Sequence, residues 1–279
     1  MKLAIIGTGL IGGSAALVLR KKGFASAITG VENNPAHAAK AIELGIVDTI
    51  CSLEEAVANS EIILLAVPVD AAVKILPSIL DLVNNQVVAD MGSTKEIFVN
   101  AVASHPKRGR FVATHPMWGT EYSGPEAAVS TAFENKAVVI CNEEQSDEDA
   151  VNIIKKMYSA MGMHLLKMDA HDHDLHAAYV SHISHITSFA LANTVLEKER
   201  EDNAIFEMAS AGFESTVRLA KSNPAMWVPI FMQNKENVLD VLNEHISQLR
   251  KFKSCLEKEN YEYLQELIEN ANKIRRIIR

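Results

Sequence analysis

Cysteine is scarce, long apolar runs are missing and positive charge is outnumbered, and each shortage closes off a class of function. The 279 residues hold three cysteines, Cys51, Cys141 and Cys255. Far apart and odd in number, they give neither a disulfide framework nor the paired spacing of a metal knuckle. The most apolar stretch, Ile62 to Val69, falls far short of the roughly 18–20 residues that cross a bilayer. Lysine and arginine total 27 against 35 acids, a formal net charge of -8. Nucleic-acid backbones and anionic membranes select basic surfaces, so neither is expected as the main partner. No basic region leads into an apolar secretory core at the start, and a reduced, soluble, cytoplasmic protein is the expectation.

What is present is ordinary globular composition, with 48% hydrophobic and 22% charged residues. The length exceeds the roughly 100–200 residues of one core, so two domains are expected. Their boundary falls where strand signals stop, giving residues 1–168 and 169–279. In the first part, continuous apolar runs alternate with helical spacing: Lys2–Ile6, Ala27–Val31, Glu61–Val67 and Val87–Ala89 read as strands buried on both faces. Such alternation predicts a doubly wound α/β parallel sheet of the Rossmann type.

Directly after the first run comes Gly7-Thr8-Gly9-Leu10-Ile11-Gly12, followed by helical spacing. Strand before and helix after give this glycine pattern its meaning. Gly7 makes the turn, Gly9 lets a pyrophosphate approach the backbone, and Gly12 lets the helix pack close, its free N–H groups facing phosphate. Glu32 ends the second strand, where a carboxylate accepts from ribose hydroxyls and repels a 2′-phosphate, favouring NAD over NADP. The alternative for Glu32 is an exposed acid ahead of a helix. Val67 and Pro68 end the next strand, over the expected cofactor.

Near the middle of the chain, Arg110–Thr114 reads as a strand that delivers His115 to its carboxyl end, the rim where open α/β sheets bind ligands. A neutral imidazole there can serve as a general base; the plainer reading is a His-Pro pair that ends a strand. Ser93 sits on the same rim. Ser93 and Glu96 have the spacing of a capping box for a helix over 94–103, and Ser93 is equally placed to donate to a substrate hydroxyl or nicotinamide.

From Asp169 onward the pattern is helical. His171, His173, His176, His182 and His185 crowd one stretch, but neither an HExxH pattern nor an ordered Cys/His set accompanies them, and no metal is expected. His182 and His185 are three apart, hence on one helix face. Arg218 is either a surface cation or, given its apolar neighbours, a partly buried carboxylate clamp. Leu242, Ile246, Leu249, Leu256, Leu264, Leu267, Ala271 and Ile274 form an apolar stripe on charged helices. A homodimer through this helical half is expected.

The ordered set GTGLIGGS at 7–14, LLAVPV at 64–69, DMGSTK at 90–95, HPMWGTEYSG at 115–124, HDLHAAYVSHISH at 173–185, GFESTVR at 212–218 and MWVPIFMQN at 226–234 resembles the prephenate dehydrogenase family, also called arogenate or cyclohexadienyl dehydrogenases, of tyrosine biosynthesis. The likeness runs through nearly the whole chain. It implies NAD-dependent oxidative decarboxylation of prephenate to 4-hydroxyphenylpyruvate, or of arogenate to tyrosine, by an N-terminal Rossmann domain and an all-α dimerisation domain. By the resemblance, His115 takes the proton of the ring hydroxyl and Ser93 positions that group. Arg218 binds a substrate carboxylate, His182, His185 and Trp227 line the pocket, and Glu121 and Asp174 match acidic positions around it. The sequence departs from the family's pattern at Trp118, Ala211 and Ser215, around the side-chain end of the pocket. Rival readings are the β-hydroxyacid dehydrogenase and imine reductase group, whose catalytic-lysine helix is not found here, and a non-catalytic NAD-sensing dimer.

Overall fold

The computed structural model describes residues 1–199 and 205–277. Strands and helices alternate from the start: β1 (Lys2–Ile6), α1 (Leu10–Lys21), β2 (Ala27–Val31), α2 (Pro35–Glu43), β3 (Thr49–Ile50), α3 (Leu53–Ala58), β4 (Ile62–Leu65), α4 (Val69–Leu82), β5 (Val87–Asp90), α5 (Glu96–Ala101), β6 (Phe111–Pro116), β7 (Ala137–Cys141), α6 (Glu148–Ala160) and β8 (His164–Met168). They build an eight-stranded sheet of order β3-β2-β1-β4-β5-β6-β7-β8. The order reverses beside β1, opening the crevice at the carboxyl ends of β1 and β4 where doubly wound sheets take their ligands.

The strands are apolar on both faces because both faces are covered. Leu3, Ile5, Ile62, Leu64, Val87 and Ala89 join one core with α1 and α6, while the alternate residues Ala4, Ile6, Ile63, Leu65 and Val88 join a second with α3, α4 and α5. This is the two-residue period of a strand read on both sides. Local signals set several helix starts. Ser52 and Glu55 form the capping box that their spacing predicts, and Asn34 caps α2 ahead of Pro35.

The sheet differs from a purely parallel one at one edge. β7 runs antiparallel to β6, and β8 is parallel to β7. The β6–β7 connection holds only the short 3-10 turn Pro125–Ala127. Without a crossover helix the chain turns back beside the strand it has just left.

After β8 the described residues are helical: α7 (Ala170–Ala177), a π turn (Ala178–His182), α8 (Ile183–Glu199), α9 (Ala211–Val217), α10 (Pro224–Gln233), α11 (Lys235–Glu257) and α12 (Tyr261–Asn272), with short 3-10 turns between. The chain falls into two compact units, Met1–Asn234 and Lys235–Arg279. Trp227 and Ile230 of α10 belong to the second core of the sheet, which is why the first unit runs beyond β8. In the other unit α11 and α12 meet at a turn with Glu259 in the left-handed region.

The glycines after β1 are distinguishable. Gly7 has φ +94, and a Cβ on it would stand 2.7 Å from the Ala66 carbonyl oxygen; one on Gly12 would strike the Gly7 carbonyl. Gly12→Ala should therefore lower stability by about 1–3 kcal/mol, the range of overpacking. Gly9→Ala, with open space around it, should stay within about 0.5 kcal/mol of the parent, as a substitution free of such clashes does. Urea denaturation of both variants checks the contrast.

Candidate active site

The strand ends and the turns after them gather most of the residues singled out in the sequence. At Gly9 an added Cβ would meet nothing within 4 Å, so internal packing does not require the glycine. That free space lies at the start of α1, which no side chain caps. Unpaired N–H groups and the helix dipole favour an anion there. Glu32 Oε2 accepts from the N–H of Thr8 at 3.1 Å and from its hydroxyl at 3.2 Å, and Oε1 accepts from Asn34 N–H at 3.0 Å. The arrangement fits a dinucleotide, with open backbone for its phosphates and a carboxylate at the end of β2 for its ribose. Val67 and Pro68 form the β4–α4 turn beside Gly7.

His115 is carried by β6 and is 9% exposed. Its Nδ1 lies 2.9 Å from Nε2 of His173, whose Nδ1 lies 2.8 Å from Oδ1 of Asp174. Both rings of this chain depend on how α7 starts. Asn142 holds Asp169 and accepts from Ala170 N–H, and Asp169 caps the helix at His171 N–H. One turn later His173 and Asp174 face inward, both buried. Asp174 also accepts from the N–H groups of Lys95 at 2.7 Å and Glu96 at 2.9 Å, and so caps α5. The expected Ser93 capping box is thereby replaced. Helix α5 begins at Glu96, not at residue 94, because a carboxylate from α7 satisfies its first donors. Ser93 is left half-buried in the turn between Asp90 and α5.

Beneath His115 lies a fully buried ion pair. Lys95 Nζ donates to Asp90 Oδ2 and, at 2.8 Å, to the Thr114 carbonyl. Asp90 also accepts from Thr114 N–H at 3.0 Å and Gly92 N–H at 2.9 Å. Burial pushes the Asp90 carboxyl up, while Lys95 and these two donors pull it down. Burial comes first, and then the cost of adding a positive charge next to His173, Lys95 and His182; together they hold the His115 imidazole well below its ordinary value of 6.5. It is neutral at neutral pH and able to accept a proton.

A pocket wall continues from there. His182, at the end of the π turn, is fully buried, with Nδ1 3.2 Å from Asn234 Nδ2. Its ring lies edge-on to Trp227, and His185 stacks on Trp227 with centroids 3.4 Å apart. Burial brings His182 down to about 4 and lowers His185. Nε2 of His182 and Nε1 of Trp227, on these neighbouring rings, are buried without hydrogen-bond partners. Orphaned polar atoms are expensive in a finished interior, so two on adjoining rings make this cluster a candidate to meet a polar ligand.

Of the two readings of Arg218 the surface cation is the one observed: its side chain is 49% exposed and Nη1 meets Glu121 Oε2 at 2.6 Å. Arg218 opens a short 3-10 turn, Arg218–Lys221, and its apolar neighbours Val217, Leu219 and Ala220 are half-buried. Its own backbone N–H and Arg218 hold the Glu121 carboxyl below the usual carboxylate range. Asp174 turns its oxygens to the protein's own donors. Trp118 packs on Phe133, centroids 5.0 Å apart, inside the first core, so this departure is absorbed by packing. The sequence assigns no site role to His173, Lys95, Asp90 or Asn234, although each stands in a segment that carries the family resemblance. For Asp90 and Lys95 the available signal was an acid ending a buried strand just ahead of a lysine leading into a helix. Among the described residues, no group of three His, Cys, Asp or Glu side chains could hold a metal ion.

Residues 15–167 match the family described as "Prephenate dehydrogenase, nucleotide-binding domain", and residues 169–270 match "Prephenate dehydrogenase, dimerization domain". The chain is 30% identical over 277 residues to the prephenate dehydrogenase of Bacillus subtilis, covering 98% of this chain and 75% of that protein. It is 27% identical to the cyclohexadienyl dehydrogenase of Zymomonas mobilis, covering 98% and 94%. A crystal structure of the Aquifex aeolicus prephenate dehydrogenase in complex with hydroxyphenyl propionate and NAD+ superposes with a TM-score of 0.88 at 29% identity, covering 100% of this chain and 98% of that one.

The buried pair sets a test of stability. Lys95→Met leaves Asp90 uncompensated in the interior and should lose about 3–5 kcal/mol. Urea denaturation measures it, and a loss below about 1 kcal/mol, typical of an exposed pair, would contradict this account.

Proposed function

Because this chain belongs to the prephenate dehydrogenase family of oxidoreductases, we propose that it oxidatively decarboxylates prephenate with NAD+, using residues 1–168 for the dinucleotide and 169–279 for substrate and dimerisation. The observation that carries the reading is His115. One ring nitrogen is tied to His173 and Asp174, and His182, whose Nε2 is buried and unpaired, is close enough to act on the ring electrostatically. Glu32 supports NAD over NADP, since a 2′-phosphate would be brought against a carboxylate.

Gly7, Thr8, Gly9, Leu10, Ile11 and Gly12 would hold the pyrophosphate, Glu32 the ribose, and Val67 with Pro68 would border the ring end. Bound there, NAD+ supplies the acceptor for a hydride. His115 takes the proton of the ring hydroxyl at Nε2 as the carbon that bears it is oxidised. The ring carboxylate then leaves as CO2, its bond pair enters the ring, and the oxygen regains its proton as a phenol. Aromatisation drives the decarboxylation, so orientation and one proton acceptor are the protein's main contributions. Arg218 supplies a cation for a substrate carboxylate, in exchange for or beside Glu121.

A keto-acid side chain suits the charges better than an amino-acid one. The acids around the site are engaged: Glu121 with Arg218, Asp174 with backbone donors and His173, Asp90 with Lys95. Among the described residues, these three acids have no oxygen set aside for the ammonium of arogenate. Ser215 bonds its own helix at the Gly212 carbonyl. In the helical half, Leu249, Leu256 and Ile274 are more than half exposed, an apolar stripe suited to a second copy of the chain.

Absorbance of the reduced nicotinamide, followed with prephenate or arogenate and with NAD+ or NADP+, tests the whole reading; it requires turnover with prephenate and NAD+. His115→Asn should lower kcat by about 10²–10⁴-fold, the worth of a general base, with KM little changed. Arg218→Ala should instead raise KM about 10- to 100-fold, as expected for a lost charged hydrogen bond of about 1.5–3 kcal/mol. A depressed imidazole is lost as a base only on protonation. The pH profile of kcat/KM should therefore be flat through neutrality and fall in acid, below 6.5. Sedimentation at micromolar concentration should give two copies of the chain.

A further inference from the structure

We propose that His173, backed by Asp174, is the positioning residue that fixes which nitrogen of His115 carries its proton and leaves Nε2 as the bare acceptor for the substrate hydroxyl. The inference rests on the reading of His115 as the base and goes beyond it by assigning that histidine's tautomer and the residue that sets it.

Donor accounting carries the argument. The two oxygens of Asp174 already accept backbone N–H bonds, from Lys95 at 2.7 Å and Glu96 at 2.9 Å. It is an acceptor-only carboxylate, so His173 Nδ1, 2.8 Å from Oδ1, must be the donor. A neutral histidine protonated at Nδ1 is an acceptor at Nε2. His115 Nδ1, 2.9 Å from that Nε2, must then donate. The lone pair of His115 is left on its Nε2. Among the described residues no other side chain is hydrogen-bonded to the His115 ring, so the choice of tautomer falls to His173 alone.

The charged and titratable groups around His115 come from three elements: Lys95 from the β5–α5 turn, His173 from α7 and His182 from the π turn. Lys95 is already paired with Asp90. The carboxylate that the hydrogen bonds of the His115 ring lead to is Asp174, reached through the His173 ring. In turnover the hydroxyl proton passes to His115 Nε2, the Nδ1–H stays shared with His173, and the proton returns to the oxygen when CO2 has left and the ring is a phenol. The protein ends with the protons it began with. The same carboxylate also holds the start of α5, at the N–H groups of Lys95 and Glu96.

Long-range nitrogen-15 to proton correlations on the cofactor-free protein identify each histidine tautomer without any turnover. The expected spectrum has His115 protonated at Nδ1 and His173 neutral and protonated at Nδ1. His173→Asn keeps a donor for Asp174 but is too short to reach His115. It should shift His115 to the Nε2–H form that free imidazoles prefer and lower kcat with prephenate by about 10²–10⁴-fold, as a base in the wrong tautomer does, with KM changed less than about threefold, under ~0.7 kcal/mol. His173→Gln, whose amide oxygen reaches the place of Nε2, should restore the His115 tautomer and recover part of kcat. A wild-type His115 protonated at Nε2, a doubly protonated His173, or a folded His173→Asn with the tautomer unchanged would overturn the proposal. If the wild-type protein fails to turn over prephenate while the spectrum is as expected, the functional reading fails and the tautomer assignment stands.

Discussion

The buried carboxylate of Asp174 is the constraint on which the site depends. It accepts two backbone donors at the start of α5 and one from His173, and its own carbonyl accepts from Asn234 Nδ2 at 2.6 Å. One residue thereby ties the turn after β5, the first helix after the sheet and the end of α10. A charge taken out of water needs such partners. Three charge-assisted bonds return much of its hydration energy and fix three elements in one geometry. The cap that α5 lacks locally is supplied from almost eighty residues away, so the helix and the catalytic chain form together.

The electrostatics follow from burial. Lys95 is a cation in the interior, offset by Asp90 and by the Thr114 carbonyl. Around it stand imidazoles that burial keeps neutral, His182 at about 4 and His115 well below its ordinary value. A neutral His115 is a base ready for use, whereas an imidazolium would be of no service to a hydroxyl. Burial is thus part of the chemistry. It makes a weaker base in exchange for one that is unprotonated when the substrate arrives.

The helical half contributes surface of a different kind. His185 stacked on Trp227, with His182 edge-on to it, gives an aromatic wall whose polar atoms are unsatisfied. The π turn at Ala178–His182 inserts one residue into the helix register. It brings His182 to the wall while His173, a few turns earlier, still faces His115. Such bulges cost backbone regularity and recur where side chains must be aimed.

The sequence by itself determined the strands of the sheet, the glycine turn and His115 at a strand end, because these follow from local rules. Continuous apolar runs need cover on both faces, a left-handed turn needs Gly7, and a proline after a histidine ends a strand. The capping box at Ser52 was legible for the same reason. Only the tertiary structure decided the rest. The Ser93 spacing promised a second capping box, and a distant carboxylate took its place. Arg218 could be a surface cation or a sheltered clamp by its neighbours, and the fold leaves it half exposed against Glu121, which lies far off in the sequence. β7 reversed direction since its connection held no crossover helix. Lys95, Asp90, His173 and Asn234 stand inside segments that carry the family resemblance, yet nothing local gave them a role; their partners lie elsewhere in the sequence, and burial with hydrogen-bond satisfaction, which act through space, decided it.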